Sequence, residues 1–179
     1  MPGPVLLVID TQEGFTRKGS LASEHTTAAI PRIVHVAERE RGAGTPIIFT
    51  KDTHREGDPE FEMFPPHCLE GTEEHELVEE LRPLERDAHE IVHKSRYSAF
   101  HGTDLDALLE KLDPDEVRVA GVCTDICVLH TVADLRNRDY RVLVHRDAVE
   151  TFDAPGHDHA DVNRWALSHI ENILGAQVV

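Results

Sequence analysis

Apolar runs recur along the chain at residues 4–10 (PVLLVID), 46–50 (PIIFT), 90–93 (EIVH), 117–122 (VRVAGV) and 141–145 (RVLVH), with a weaker one at 176–179. They are rich in β-branched residues, and charges or turn residues bound each of them. The first two are continuously hydrophobic rather than alternating, as strands buried on both faces are. Between the runs, apolar residues at helical spacing predict helices over residues 26–41, 73–81, 105–112, 125–138 and 159–174. Strands alternating with helices imply an α/β architecture, a doubly wound parallel sheet with helices on both faces. No repeat, low-complexity tract or linker divides the chain, so residues 1–179 are expected to form one domain. Three segments read as loops: 14–24, 52–71 with three prolines, and 148–158. A loop as long as the second, carrying Phe61, Met63 and Phe64 beside histidines and acids, points to function rather than a simple connection.

Ligands of such sheets bind beyond the carboxyl ends of the strands, so the residues that follow each strand are the first candidates. Asp10 closes the first run, Lys94 follows the third, and Cys127 lies in GVCTDICVLHT, where a strand passes through glycine into a helix. With Thr124 as the cap, Cys127 falls in the first helical turn, where free N–H groups and the helix dipole favour a thiolate. Taken singly, these are a turn aspartate, a solvated lysine and a buried thiol behaving as a small hydrophobe. At three neighbouring strand ends they form an activated nucleophile: the carboxylate takes the thiol proton and the ammonium stabilises the anions. No histidine stands in the usual base position, which weakens a papain-like pairing.

The long loop supplies a second group. Asp52 and His54 share a face of an extended segment at i and i+2, His67 follows in FPPH, and Glu60 lies between them. One carboxylate and two imidazoles suit a metal ion and leave positions open for water or substrate. A polar loop in a protein with 13 histidines is the plainer alternative.

Composition narrows the partners. With 18 basic and 34 acidic residues the net charge is −16, which repels phosphate backbones and anionic lipid, so neither nucleic acid nor a membrane surface is expected. No apolar run approaches the ~20 residues that span a bilayer, and no secretory signal opens the sequence. Three cysteines are too few and too odd for a disulfide framework, which points to a reducing, cytoplasmic setting. Trp165 is expected in the core or at an interface, and His157 and His159 as surface residues near a helix start.

The stretches VIDTQEGF, KDTHREGDPEFEMFPPH, HKSRYSAFHGTDLDALL and GVCTDICVLHTVADLRNRDYRVLVHRDAVET together resemble the nicotinamidases of the isochorismatase-like cysteine hydrolase family, in order and in spacing. The resemblance covers most of the chain between residues 5 and 151. It implies a six-stranded parallel sheet, Cys127 as nucleophile, Asp10 as general base and acid, and Lys94 as the third catalytic residue. It further implies one divalent ion (zinc, iron or manganese) held by Asp52, His54 and His67, with Glu60 as an additional ligand, directly or through water. Phe15, Phe64 and Tyr97 would line a pyridine pocket, the peptide before Cys123 would be cis, and the backbone N–H groups of Cys123 and Cys127 would form an oxyanion hole. The implied reaction hydrolyses a small-molecule carboxamide, nicotinamide, to nicotinate and ammonia through a cysteine thioester in NAD salvage, in a protein that self-associates into a homo-oligomer. Two positions depart from the pattern: Phe64 where many relatives have tryptophan, and Cys123 where alanine or leucine is common. Relatives that cleave carbamoyl or ureido groups, often without a metal, are the alternative within the family, and Asp52, His54 and His67 argue against them. Outside it, Cys68, Cys123 and Cys127 allow a redox or structural metal-binding protein.

Overall fold

A computed structural model describes residues 3–179. Six strands, β1 (Pro4–Ile9), β2 (Ile47–Asp52), β3 (Glu90–Lys94), β4 (Glu116–Val122), β5 (Val142–Glu150) and β6 (Gln177–Val178), form one sheet in the order β3-β2-β1-β4-β5-β6. Every pairing is parallel. The helices are α1 (Glu13–Thr16), α2 (Glu24–Gly42), α3 (Arg82–Glu85), α4 (Leu105–Leu112), α5 (Leu129–Asn137) and α6 (His159–Asn172).

The unbroken apolar character of β1 follows from its central place. Val5, Leu7 and Ile9 pack with Leu105, Leu109, Val132, Leu135, Leu167 and Ile170 of α4, α5 and α6. Leu6 and Val8 face the other way, onto Ile30, Ile33 and Val36 of α2 with Leu77 and Leu81. Leu6, Leu7 and Ile9 are fully buried, each contributing about 1.5–3 kcal/mol relative to exposure. The chain winds outward from β1 in one direction through β2 and β3, and in the other through β4, β5 and β6. Topology therefore switches between β1 and β4, where doubly wound sheets open a crevice for ligands.

At this switch point β4 passes so close to β1 that only glycine fits. Gly121 has φ +126°, and a Cβ built on it would lie 2.0 Å from the Ile9 carbonyl oxygen. The β4–β5 register shifts between Val119 and Gly121, after which Gly121 pairs with Val149 and Val122 with Glu150.

Several expectations require correction. Residues 73–81 are not a helix; only Glu73–His75 and Glu79–Leu81 make short 3-10 turns. The backbone between them is taken up elsewhere: Glu13 N–H donates to Glu76 O and Val78 N–H to Thr11 O, so tertiary pairing overrides helical spacing. Residues 148–150 belong to β5, Asp52 closes β2 rather than opening the loop, and a short helix, α1, occupies part of the segment 14–24. The helical segment after β4 begins at Thr124, its expected cap, so the cap lies one residue earlier, at Cys123, and Thr124–Val128 form a π-turn before α5. Trp165 is 57 % exposed and is not a core residue.

Candidate active site

Parallel registry brings three strand ends together. Asp52 pairs with Lys94 across β2 and β3, and Asp10 follows β1 beside them with φ +43°, a left-handed turn that aspartate tolerates better than most residues. Its N–H lies 3.3 Å from Thr50 O and 3.1 Å from Thr50 Oγ1, and the Thr50 hydroxyl donates to Asp10 Oδ1. Lys94 Nζ stands 2.6 Å from Asp10 Oδ2, 3.2 Å from Asp52 Oδ1 and 3.5 Å from Cys127 Sγ. Acid, ammonium and thiol therefore meet, all buried. The Asp10–Lys94 contact is a close ion pair between two buried groups.

The electrostatics separate the two carboxylates. Burial raises both, but Lys94, His54 and His67 hold Asp52 far below the usual carboxylate range. Asp10 stays raised, because burial and the neighbouring Asp52 charge outweigh the pull of Lys94. Two acids around one ammonium thus divide roles, one permanently ionised and one ready to carry a proton. Burial favours the neutral amine of Lys94, yet Asp10, Asp52 and Cys127 keep it well above the ordinary lysine value. For Cys127, burial pushes the thiol up and outweighs Lys94. The expected resting thiolate at a helix start is therefore replaced by a thiol that needs a base. Cys123 and Cys68 are also raised by burial, and all three cysteines are free. The peptide between Val122 and Cys123 is cis.

The second group is assembled as well. Asp52, His54, Glu60 and His67 are buried, with one donor atom of each within 4.8 Å of the others. His54 Nε2 lies 3.0 Å and His67 Nε2 3.3 Å from Asp52 Oδ2, and both are 3.9 Å from Glu60 Oε1. The Nδ1 of His67 is 2.8 Å from the Pro65 carbonyl, which fixes its proton there and turns the Nε2 lone pair inward. Burial opposes a charged His54, yet Asp52, Asp58 and Glu60 push its pKa up to about 9. Glu60 is raised by burial, and its Oε2 is buried without a hydrogen-bond partner. Two carboxylates and two imidazole nitrogens converging on one point are a donor set that fits a divalent cation.

One cavity of about 380 Å³ reaches both groups. Asp52, Glu60, His67, Cys123 and Cys127 line it together with Phe15, Leu21, Phe64, Tyr97, Ile126 and Phe152. Phe15, Phe64 and Tyr97, the residues expected to line a pyridine pocket, are thus on this cavity wall, joined by Leu21, Ile126 and Phe152, whose local spacing does not distinguish them from core residues. Gln12 was also missed. Its side chain accepts from Asp52 N–H at 2.7 Å and donates to the carbonyls of Asp52 and His75, both at 2.9 Å, clamping the strand end that carries the carboxylate.

His157 and His159 are half-buried rather than free surface residues. His157 Nε2 is 2.9 Å from Asp125 Oδ2, and its ring stacks on Phe152 of the cavity wall. His159 and His25 stack on each other and flank the Asp153 carboxylate, which also accepts the His159 N–H at 2.7 Å. Although these three side chains also bring donors within 4.8 Å, the first turns of α2 and α6 present their positive ends here. That satisfies an anion and opposes a cation, so the Asp153 carboxylate ties the starts of α2 and α6 together.

Comparison with known proteins agrees with this geometry. The family profile described as the isochorismatase domain matches residues 4–166. An uncharacterized isochorismatase family protein, PncA, of Bacillus subtilis is 44% identical over 154 residues, covering 82% of this chain and 81% of the relative. The crystal structure of nicotinamidase PncA from Bacillus subtilis superposes with a TM-score of 0.89 at 36% identity, over 98% of each chain. The pyrazinamidase of Pyrococcus horikoshii in complex with zinc gives a TM-score of 0.86 at 29% identity, over 99% of each chain.

Proposed function

The chain belongs to the isochorismatase family as a hydrolase of amide carbon–nitrogen bonds, and from that premise we propose that its substrate is nicotinamide, released as nicotinate and ammonia in NAD salvage. The observation that carries this reading is the shared cavity: Cys127, which contacts Lys94, lines it together with Asp52, Glu60 and His67 of the cluster and with Phe15, Phe64 and Tyr97. Carbamoyl and ureido substrates lack a ring nitrogen that such a cluster would serve.

The reaction follows from the protonation states. Asp10 accepts the Cys127 proton as sulfur attacks the carboxamide carbon, and the oxyanion that forms meets the backbone N–H groups of Cys123 and Cys127. One such donor is worth about 2.7–4 kcal/mol in the transition state. The Asp10 proton then passes to the departing nitrogen, ammonia leaves, and a thioester to Cys127 remains. Water adds to the thioester while Asp10 again takes one of its protons, that proton returns to sulfur as the intermediate collapses, and the acid product gives up its remaining proton to the released ammonia or solvent, leaving as the carboxylate. Lys94 stays charged throughout and offsets each anion in turn. When bound, a divalent ion supplies an electrophilic anchor for the ring nitrogen, directly or through its waters. Asp52, His54 and His67 would hold it, with Glu60 as the fourth donor, while Phe15, Phe64 and Tyr97 orient the ring.

Ammonia release tests the assignment, with nicotinamide, N-carbamoyl amino acids and ureido acids compared before and after chelation. The expected result is turnover of nicotinamide that falls on chelation and returns with zinc, iron or manganese. Preference for a carbamoyl or ureido substrate, or nicotinamide turnover untouched by complete metal removal, would overturn it.

A further inference from the structure

Asp58 belongs to none of the groups above, yet it touches two of the proposed ligands at once. Its Oδ2 lies 3.1 Å from His54 Nδ1, the nitrogen facing away from Asp52, as an ion-pair contact short of hydrogen-bond alignment that leaves this buried nitrogen with no other partner. Its Oδ1 accepts the backbone N–H of Glu60 at 2.9 Å, capping the 3-10 turn Pro59–Glu62 that carries Glu60. Pro59 at the first position of that turn has no N–H to satisfy, an arrangement suited to an aspartate cap. The same Oδ1 accepts from Arg96 Nη1, also at 2.9 Å. Arg96 donates in addition to the Ser95 carbonyl and follows Lys94 by two residues. One side chain thus joins the loop bearing the ion ligands to the strand end bearing the catalytic ammonium.

We infer that Asp58 is a positioning residue for the metal centre: through its two oxygens it keeps the His54 proton on Nδ1, so that Nε2 offers a lone pair, and it seats Glu60 beside it, while Arg96 locks Asp58 in place. This rests on the reading that Asp52, His54 and His67 hold an ion. His67 obtains the same service from a backbone carbonyl; His54, buried and lacking such a carbonyl, depends on a carboxylate.

The substitution Asp58→Asn separates this role from a structural one. An asparagine can keep Oδ1 on Glu60 N–H and Arg96, preserving the turn, but places an amide donor against His54 Nδ1. The ring must then accept there and carry its proton on Nε2, the ligating atom. Zinc affinity is measured by competition with a fluorescent chelator on wild type, Asp58→Asn and Arg96→Met, alongside the melting temperature of each metal-free protein. The d–d absorption of the cobalt-loaded forms gives an independent view of the ligand set. Asp58→Asn is expected to melt like wild type, to bind zinc about 10–100-fold more weakly and to shift the cobalt spectrum, with Arg96→Met displaced in the same direction by less. Tight zinc binding by wild type with an unchanged affinity and spectrum in Asp58→Asn would overturn this inference alone. Failure of wild type to bind zinc or cobalt would overturn it together with the ion in the proposed function, and nicotinamide hydrolysis would then still be tested separately.

Discussion

Replacing Lys94 by methionine removes the one cation shared by Asp10, Asp52 and Cys127 while keeping the side chain's volume. In wild type both carboxylates are within 3.2 Å of the ammonium and all are buried. Withdrawing one partner from a buried ion pair typically costs about 3–5 kcal/mol, because the remaining charge has neither water nor counterion. For a chain of 179 residues, at about 2–4 °C per kcal/mol, the melting temperature should fall by roughly 6–20 °C. Asp10→Asn should cost less, since Lys94 keeps Asp52 at 3.2 Å. In the double variant the two effects should not add, with a coupling of about 0.5–3 kcal/mol. The assay is urea unfolding followed by circular dichroism on chelator-treated wild type, both single variants and the double variant, so that no ion compensates Asp52. Activity provides the second axis: Lys94→Met should be inactive, and Asp10→Asn should lose about 10²–10⁴ in kcat, the usual contribution of a positioned proton carrier. A Lys94→Met protein within about 1 kcal/mol of wild type, with additive effects in the double variant, would refute the shared-ammonium reasoning.

Other expectations follow from the same geometry. Cys127→Ala should abolish turnover while Cys123→Ala retains it, because only the backbone of Cys123 is used; steady-state ammonia release on the two proteins distinguishes them, and equal losses would favour a paired-thiol chemistry. Gly121→Ala forces a Cβ to 2.0 Å from the Ile9 carbonyl oxygen, so soluble yield and melting temperature should drop sharply, and a normal melt would contradict the close β1–β4 approach. His157 is raised above its ordinary 6.5, with burial opposed by Asp125. Its ion pair therefore contributes stability that is full below pH 6.5 and fades as pH rises through the folded value. Wild type should lose melting temperature over that rise, and His157→Gln should show a flatter profile; parallel profiles would count against the pair.

How far the sequence foretells this site depends on whether a residue's role is local or tertiary. Asp10 and Lys94 can be picked out because a reactive residue at the end of an apolar run stands at the rim of a parallel sheet whatever the surrounding loops do, and Cys127 because it lies in the first helical turn after such a run. The sheet itself is equally plain, since β1 is apolar on both faces only because helices cover both. Asp58 and Arg96 carry no such signal: a D-P dipeptide marks a turn, but that its carboxylate faces His54 depends on how a long loop folds back. The segment 73–81 shows the reverse failure, with helical spacing overruled by backbone bonds to residues 11–13. The environment of Cys127 is legible only in part for a related reason. Its place at a helix start is visible in the sequence, whereas the burial that pushes its thiol up is not.

Mass spectrometry of protein quenched in acid during turnover tests the heart of the chemistry most directly. With nicotinamide as substrate, a nicotinoyl group should be found on Cys127 of wild type and should be missing from Cys127→Ala. Product formation at full rate by the alanine protein, or an acyl group on any other side chain, would contradict the account.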